Sequence, residues 1–340
     1  MEHKVLDKKD LTAFLSGLSR SHRLVAPVKR SKVVEFETVK SAEDVYLDAW
    51  NTKVPPKRLF FPSTEVLFHF SGSVDGITVT REPLPEESTV IFGVRPCDAK
   101  SFTLLDKVFK GEEYRDPYYA ARREKTIMMG LVCKYPRATC FCTSVGGSPS
   151  GTEGMDVLLT DLGDRYYVQP VTEKGAKLIE GNPFVKPASE EDAEKKQSSW
   201  KNSERSMSSK IRLAVAQKKL EGMFDDPFWD AVSEKCLGCA VCTYLCPTCH
   251  CFDIVDEATD RRGRRVRNWD SCMFPIFTLQ ASGHNPRRSG KERMRQRLMH
   301  KLNYFVANYG VPACVGCGRC IMECPVNLDV REVIESIASR

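Results

Sequence analysis

The chain has 340 residues, of which 41% are hydrophobic and 28% charged, a composition that is ordinary for a globular protein and a length that favours two domains. Its formal net charge of +6 excludes a protein that is basic throughout. No apolar run reaches the roughly 18 residues that a membrane span needs, and the charged start MEHKVLDKKDLTAFL lacks a signal-peptide core, so a cytoplasmic location without a membrane span is expected.

Residues 1–186 are predicted to form a mixed, β-rich α/β domain. A helix is expected over Leu11–Leu18. A second helix is expected to begin at Ser41, where Asp44 takes the usual Glu/Gln place of a capping box. A third is expected to be capped by Asp98 and to continue to Phe109. Strand-like runs occur at 57–61, 65–70, 77–80, 89–94, 126–132 and 166–169. Residues 72–76 are typical of a hairpin loop.

Residues 187–228 are predicted to be a polar linker followed by a helix. The stretch 189–199 is nearly devoid of core residues, and a helix is expected over about 209–223. Residues 229–340 then form the second predicted domain, in which two cysteine motifs flank a basic insertion with helical character. Apolar residues at helical spacing predict a helix over Leu298–Tyr309.

The most specific signal is a Cys-x2-Cys-x2-Cys-x3-Cys-Pro motif that occurs twice. Three such cysteines can wrap one [4Fe–4S] cluster, while the fourth binds the partner cluster in two-cluster ferredoxins. The sequence therefore predicts two ligand sets. The first is Cys236, Cys239, Cys242 and Cys324, and the second is Cys314, Cys317, Cys320 and Cys246.

Zinc is the main alternative for these cysteines, but eight of them in this doubled spacing fit zinc sites poorly. The two motifs are separated by residues 247–313. This gap is much longer than in compact bacterial ferredoxins, and it resembles the α-helical ferredoxin domain found in iron–sulfur subunits of larger enzymes. The second domain is therefore predicted to be an α-helical ferredoxin-like dicluster domain.

Three further cysteines lie in the same region, Cys249, Cys251 and Cys272. Packing near the clusters is the simplest interpretation. A redox-active thiol pair, or an additional ligand set completed by His250 or His284, remains open.

The N-terminal region contributes four cysteines, in or next to loops: Cys97, Cys133, Cys140 and Cys142. Loops at one end of a sheet can bring distant ligands together. We expect a third [4Fe–4S] cluster here, with a structural zinc or four unrelated buried cysteines as the alternatives.

The basic region is concentrated between residues 260 and 300. It is interpreted as a solvated face, as charge balance for the clusters, or as a docking surface for an acidic partner. Nucleic acid is not expected, because aromatic residues do not interleave with the basic ones. The chain also lacks the glycine-rich motifs that bind dinucleotides or ATP, so no flavin or NAD is expected on it.

Five segments of the sequence resemble one known family: 93–100, 139–144, 246–253, 269–272 and 283–287. This family contains the sulfhydrogenase β subunit, the A subunit of anaerobic sulfite reductase, and the iron–sulfur subunit of flavin oxidoreductase modules attached to heterodisulfide reductases. The resemblance implies an electron-transfer subunit without catalytic residues of its own. Its partners would be a ferredoxin-reductase-like subunit that binds FAD and NAD(P)H, and a catalytic subunit of hydrogenase, sulfite reductase or heterodisulfide reductase type.

One rival hypothesis stays open from the residues alone. The chain itself would reduce a sulfur or disulfide substrate through Cys249, Cys251 or Cys272.

Overall fold

The computed structural model describes residues 2–73 and 76–340. Its strands are β1 (Lys4–Asp7), β2 (Arg23–Arg30), β3 (Val33–Thr38), β4 (Thr64–Ser73), β5 (Gly76–Arg81), β6 (Thr89–Val94), β7 (Thr126–Leu131), β8 (Val157–Asp161), β9 (Arg165–Pro170), β10 (Val185–Pro187), β11 (Phe252–Thr259) and β12 (Arg262–Trp269). Its helices are α1 (Leu11–Leu18), α2 (Pro96–Phe109), α3 (Pro117–Lys125), α4 (Glu173–Ile179), α5 (Glu190–Arg205), α6 (Leu213–Leu220), α7 (Phe228–Glu234), α8 (Val241–Tyr244), α9 (Gly290–Met299), α10 (Phe305–Tyr309), α11 (Arg319–Met322) and α12 (Val330–Ser339). A sheet-rich N-terminal region is thus followed by a largely helical C-terminal region.

The N-terminal region is built on a mixed eight-stranded sheet in the order β10-β1-β9-β8-β7-β6-β2-β3. Strands β6, β7 and β8 lie parallel at its centre. Every residue of β6 is buried, and its side chains enter two different apolar cores. Val90 and Phe92 pack in one core, and Ile91 and Val94 pack in the other. Burial on both faces explains the continuous apolar runs of the central strands.

A second sheet of four strands has the order β11-β12-β4-β5. It joins the two halves of the sequence, because β12 pairs antiparallel with β4 nearly two hundred residues earlier. Strands β4 and β5 confirm two predicted strands, and Ser73 pairs with Gly76 as a hairpin requires. The middle of the predicted hairpin loop, Val74 and Asp75, lies outside the described residues.

Several local predictions were wrong. The expected strand at 57–61 is a short 3₁₀ turn over Pro56–Leu59, because two prolines precede and open it. The helix expected from Ser41 is only a 3₁₀ turn over Ala42–Asp44. The predicted helix up to Phe109 exists, but it begins at Pro96 rather than at an Asp98 cap.

The polar stretch after residue 187 is also more ordered than a linker. Most of it is helix α5, which starts with a capping box formed by Ser189 and Asp192. The first part of the basic insertion is the β11–β12 hairpin rather than a helix.

The C-terminal helices α6, α7, α9 and α12 enclose a separate apolar core around Trp229, Leu298 and Ile337. The predicted helix at 298–309 is present with one irregularity, a π turn over His300–Tyr304 between α9 and α10. Such turns are frequent at functional sites.

Candidate iron–sulfur sites

The two cysteine motifs adopt the same local conformation. In the first, Gly238 is left-handed and its N–H donates to Cys236 Sγ at 3.4 Å. In the second, Gly316 is left-handed and its N–H donates to Cys314 Sγ at 3.5 Å. Each motif then enters a one-turn helix, α8 or α11, that carries the third cysteine. The repeat found in the sequence is therefore a structural repeat.

The first predicted ligand set surrounds one cavity. Cys236, Cys239 and Cys242 line it from the first motif, and Cys324 lines it from the second, so the predicted exchange of the last cysteine is compatible with the structure. Cys320 also lines this cavity. Cys239 is exposed, so this cavity lies next to the protein surface.

The second predicted ligand set is buried more deeply. Burial raises the pKa of Cys314 and raises that of Cys320 to about 12, and Cys246 adds to both shifts through like-charge interaction. Burial likewise raises the pKa of Cys317, and Cys246 and Cys320 add to it. Cys246 thus lies within electrostatic reach of all three cysteines of the other motif.

The donors in these sets, cysteine sulfurs with backbone N–H groups directed at them, have the chemistry that an iron–sulfur cluster requires. Within the described ranges, no group of three or more His, Cys, Asp or Glu side chains is arranged to hold one ion. The cysteines instead surround a cavity. Backbone N–H groups aimed at sulfur, such as those of Gly238 and Leu328, are the contacts that stabilise thiolates around an iron–sulfur cube.

The four N-terminal cysteines come together beyond the carboxyl ends of the central strands β6 and β7. Cys97 lies in the first turn of α2 after β6, and Cys133 follows the neighbouring parallel strand β7. Burial raises the pKa of Cys133 to about 11, with Cys140 adding to the shift. Burial raises that of Cys142 to about 12, with Cys140 and Cys133 adding. Cys97 and Cys142 line a common pocket.

The loop that carries Cys140 and Cys142 packs directly on the second cysteine motif. Phe141 N–H donates to the Gly316 carbonyl at 2.8 Å. A Cβ at Gly316 would lie 2.5 Å from the backbone of Phe141 and Cys142, and one at Gly318 would lie 2.6 Å from the Thr139 carbonyl. Both glycines therefore permit close contact between the two halves of the molecule, a role that sequence reasoning missed.

The three additional cysteines fall into two thiol contacts. The thiol of Cys249 interacts with that of Cys246 and lowers its pKa. The thiols of Cys251 and Cys272 interact in the same way, which lowers the pKa of Cys251 and raises that of Cys272. Cys249 therefore lies against the second ligand set, while Cys251 and Cys272 form a separate pair of neighbouring thiols.

The basic region divides into exposed and buried members. Arg264 and Arg265 form exposed ion pairs across the hairpin with Glu257 and Asp256. Arg267 is buried and pairs with Glu65 and Asp116 of the N-terminal region. The arginines of the hairpin are thus largely neutralised within the chain.

Four buried cations near the cysteines were not singled out from the sequence: Lys57, Arg297, Lys301 and Arg319. The sequence pattern leaves the basic region that contains Arg297 open between a solvated face, charge balance for the clusters and a docking surface. Arg297 follows the buried Met294 by three residues, a helical spacing that places it towards the apolar side of α9 and could have identified it.

Comparison with known proteins agrees with this geometry. Residues 235–328 match the family model described as a 4Fe-4S dicluster domain. The chain is 31% identical to the sulfhydrogenase 2 subunit beta of Pyrococcus furiosus, over 99% of this chain and 98% of that protein. No solved structure matches it significantly. Within the described part of the chain, none of the helices has the length and apolar character needed to cross a bilayer.

Proposed function

Because the chain belongs to the family of sulfhydrogenase β subunits, we propose that it relays electrons between a subunit that binds FAD and NAD(P)H and a catalytic subunit. The catalytic partner is of hydrogenase, sulfite reductase or heterodisulfide reductase type. The observation that carries the proposal is the cavity lined by cysteines from both motifs. In this proposal the partner subunits supply and accept the electrons that the clusters carry one at a time.

The ligands of the first [4Fe–4S] cluster are Cys236, Cys239, Cys242 and Cys324, and those of the second are Cys314, Cys317, Cys320 and Cys246. When bound, such clusters supply one-electron transfer. The chain contributes the thiolates, the N–H donors of Gly238 and Gly316, and an apolar wall that excludes water. The cytoplasmic location expected from the sequence stays a prediction.

A third [4Fe–4S] cluster is proposed at Cys97, Cys133, Cys140 and Cys142. Support comes from their convergence at one sheet edge and from their closeness to the second set. Cys140 Sγ lies 3.8 Å from the Cys317 carbonyl oxygen, and Cys97 is within electrostatic reach of Cys317. The three sets would form one continuous series, with exposed Cys239 at one end.

The domain organisation that suits this function has three parts: the α/β domain of residues 1–186, the connection of residues 187–228, and the α-helical ferredoxin-like domain of residues 229–340. The β11–β12 hairpin of the third part completes a sheet with β4 of the first. This shared sheet would keep the three cluster sites at fixed separations.

The test of the relay uses NADH and an artificial electron acceptor. The anaerobically purified chain should not oxidise NADH alone, and activity should appear when the flavoprotein subunit is added. A Cys239→Ser variant, altered at the exposed end, should lower the rate of the reconstituted pair. NADH oxidation by the isolated, flavin-free chain would refute the proposal.

A second candidate function is reduction of a sulfur or disulfide substrate by this chain itself. The contact between Cys251 and Cys272 favours it, because two neighbouring thiols can deliver two electrons and two protons to a disulfide and form a disulfide of their own. The isolated chain, given an artificial reductant and polysulfide, should then release sulfide. Loss of that activity in Cys272→Ser, with the iron content unchanged, would support this function.

A further inference from the structure

Two buried cations lie on one face of the helix that runs past the cysteine motifs. Arg297 belongs to the last turn of α9, and Lys301 follows four residues later in the π turn. Residues spaced by four share a helix face. Both are buried, with exposed fractions of 4% and 7%. The side chains of Arg297 and Lys301 therefore place two positive charges in the interior of the protein rather than in solvent.

Arg297 lines the cavity of the first ligand set, and its Nε has no hydrogen-bond partner among the described residues. Cys242 of the first set and Cys320 of the second lie within its electrostatic reach. It is placed between the two sets.

Lys301 belongs to the second set alone. Its Nζ donates to Cys246 Sγ at 3.2 Å, to Thr248 Oγ1 at 3.0 Å and to the Ala313 carbonyl at 3.0 Å. The amino group of Lys301 is therefore in direct hydrogen-bond contact with a predicted ligand of the second set.

Two other buried cations of this molecule form ion pairs with carboxylates. Arg319 pairs with Asp98, and Arg267 pairs with Glu65, so each has a carboxylate. Across residues 2–73 and 76–340, no carboxylate pairs with Arg297 or Lys301. A buried charge without a counter-charge is costly. The negative charge available to these two side chains is that of the cysteine thiolates and the clusters they hold.

We propose that Arg297 and Lys301 set the reduction potentials of the two C-terminal clusters, Arg297 acting on both and Lys301 on the second. The inference rests on the proposed function, since it requires clusters at these cysteines. A positive charge close to a cluster favours the reduced form, which carries one more negative charge. Arg297 is close to ligands of both clusters, whereas Lys301 contacts a ligand of the second.

The test is an anaerobic redox titration of the full chain followed by EPR, with iron and acid-labile sulfide measured on each sample. Lys301→Gln should lower one cluster potential, and Arg297→Gln should lower two. Each shift should be at least about tenfold in the one-electron equilibrium, which corresponds to about 59 mV. Lys301→Arg and Arg297→Lys keep the charge and should restore most of the potential.

Arg295→Gln is the matched control. It removes a positive charge from the same helix, but the side chain of Arg295 faces Phe224 and Asp225 at the surface. Its potentials should equal those of the unmodified chain. If all variants hold full iron and sulfide and their potentials do not change, the inference is overturned while the proposed relay survives.

Two other outcomes are decisive. Loss of iron in the glutamine variants, with retention in the charge-conserving ones, would show that the charge is needed even to hold the clusters, which supports the inference. Equal loss of iron in both kinds of variant would show that shape matters rather than charge, and would overturn it. Absence of iron and sulfide from the unmodified chain would instead refute the proposed function.

Discussion

The ion pair between Asp98 and Arg319 connects the sheet-rich half of the molecule to the second cysteine motif. Arg319 donates to both carboxylate oxygens, at 2.6 and 2.8 Å, and both side chains are essentially inaccessible to solvent. Arg319 Nε also donates to the Thr52 carbonyl at 2.8 Å. Each partner is adjacent in sequence to a predicted ligand, Cys97 and Cys320. This pair should therefore hold the two halves in register at the cluster sites.

Replacing Asp98 by asparagine keeps the shape of the side chain but leaves the guanidinium charge buried and unpaired. Breaking a buried ion pair in this way costs about 3–5 kcal/mol. The expected result is a large fall in the midpoint of denaturant unfolding, measured anaerobically on the iron-loaded chain. The double variant Asp98→Asn/Arg319→Met removes the stranded charge and should recover part of the loss.

The matched control is the exposed pair Arg264–Glu257, whose side chains are about half accessible. Glu257→Gln should cost only about 0.2–1 kcal/mol, because solvent already screens that pair. A loss for Asp98→Asn no larger than that for Glu257→Gln would refute the argument that the buried pair joins the two halves.

Three further predictions follow from contacts at the same interface. Gly316→Ala should destabilise the chain more than Gly310→Ala. Both residues have a left-handed backbone, but only at Gly316 would the added Cβ collide with backbone atoms, those of Phe141 and Cys142. Equal midpoints of denaturant unfolding for the two variants would contradict this prediction. Removal of iron by chelation under oxidising conditions should increase amide hydrogen exchange in the C-terminal helices before it does so in the eight-stranded sheet, because metal binding is coupled to folding. A uniform loss of protection from exchange would show that the clusters do not stabilise the C-terminal helices separately from the sheet. Reversing the charge of exposed Arg262 should slow association with an acidic partner subunit and reduce its salt dependence, as measured by surface binding kinetics; an unchanged rate would favour a solvated face.

The cysteine sites could be predicted from the sequence because their ligands follow a local spacing. The known chemistry of the repeat predicts that the last cysteine of each motif binds the other cluster, and Cys324 does line the cavity of the first motif. Central strands such as β6 were also predictable, because burial on both faces leaves a continuous apolar run.

The parts that the sequence did not reveal depend on distant partners. The arginine-rich stretch 262–269 became a strand because β4 pairs with it, which no local pattern indicates. Residues 57–61 end in an apolar run that resembles a strand, yet Phe60 and Phe61 are buried after a 3₁₀ turn that begins at a proline. The sequence pattern leaves the role of Arg297 open and does not single out Lys301, because the groups that face them are cysteines elsewhere in the chain.

The central claim is tested most directly by measuring iron, acid-labile sulfide and zinc in the full chain purified without oxygen, together with Cys236→Ser and Cys314→Ser variants. The account predicts at least about eight irons and eight sulfides per chain, with each variant losing about one cluster, and about twelve of each if the N-terminal site is also occupied. One or two zinc ions with no sulfide would contradict it.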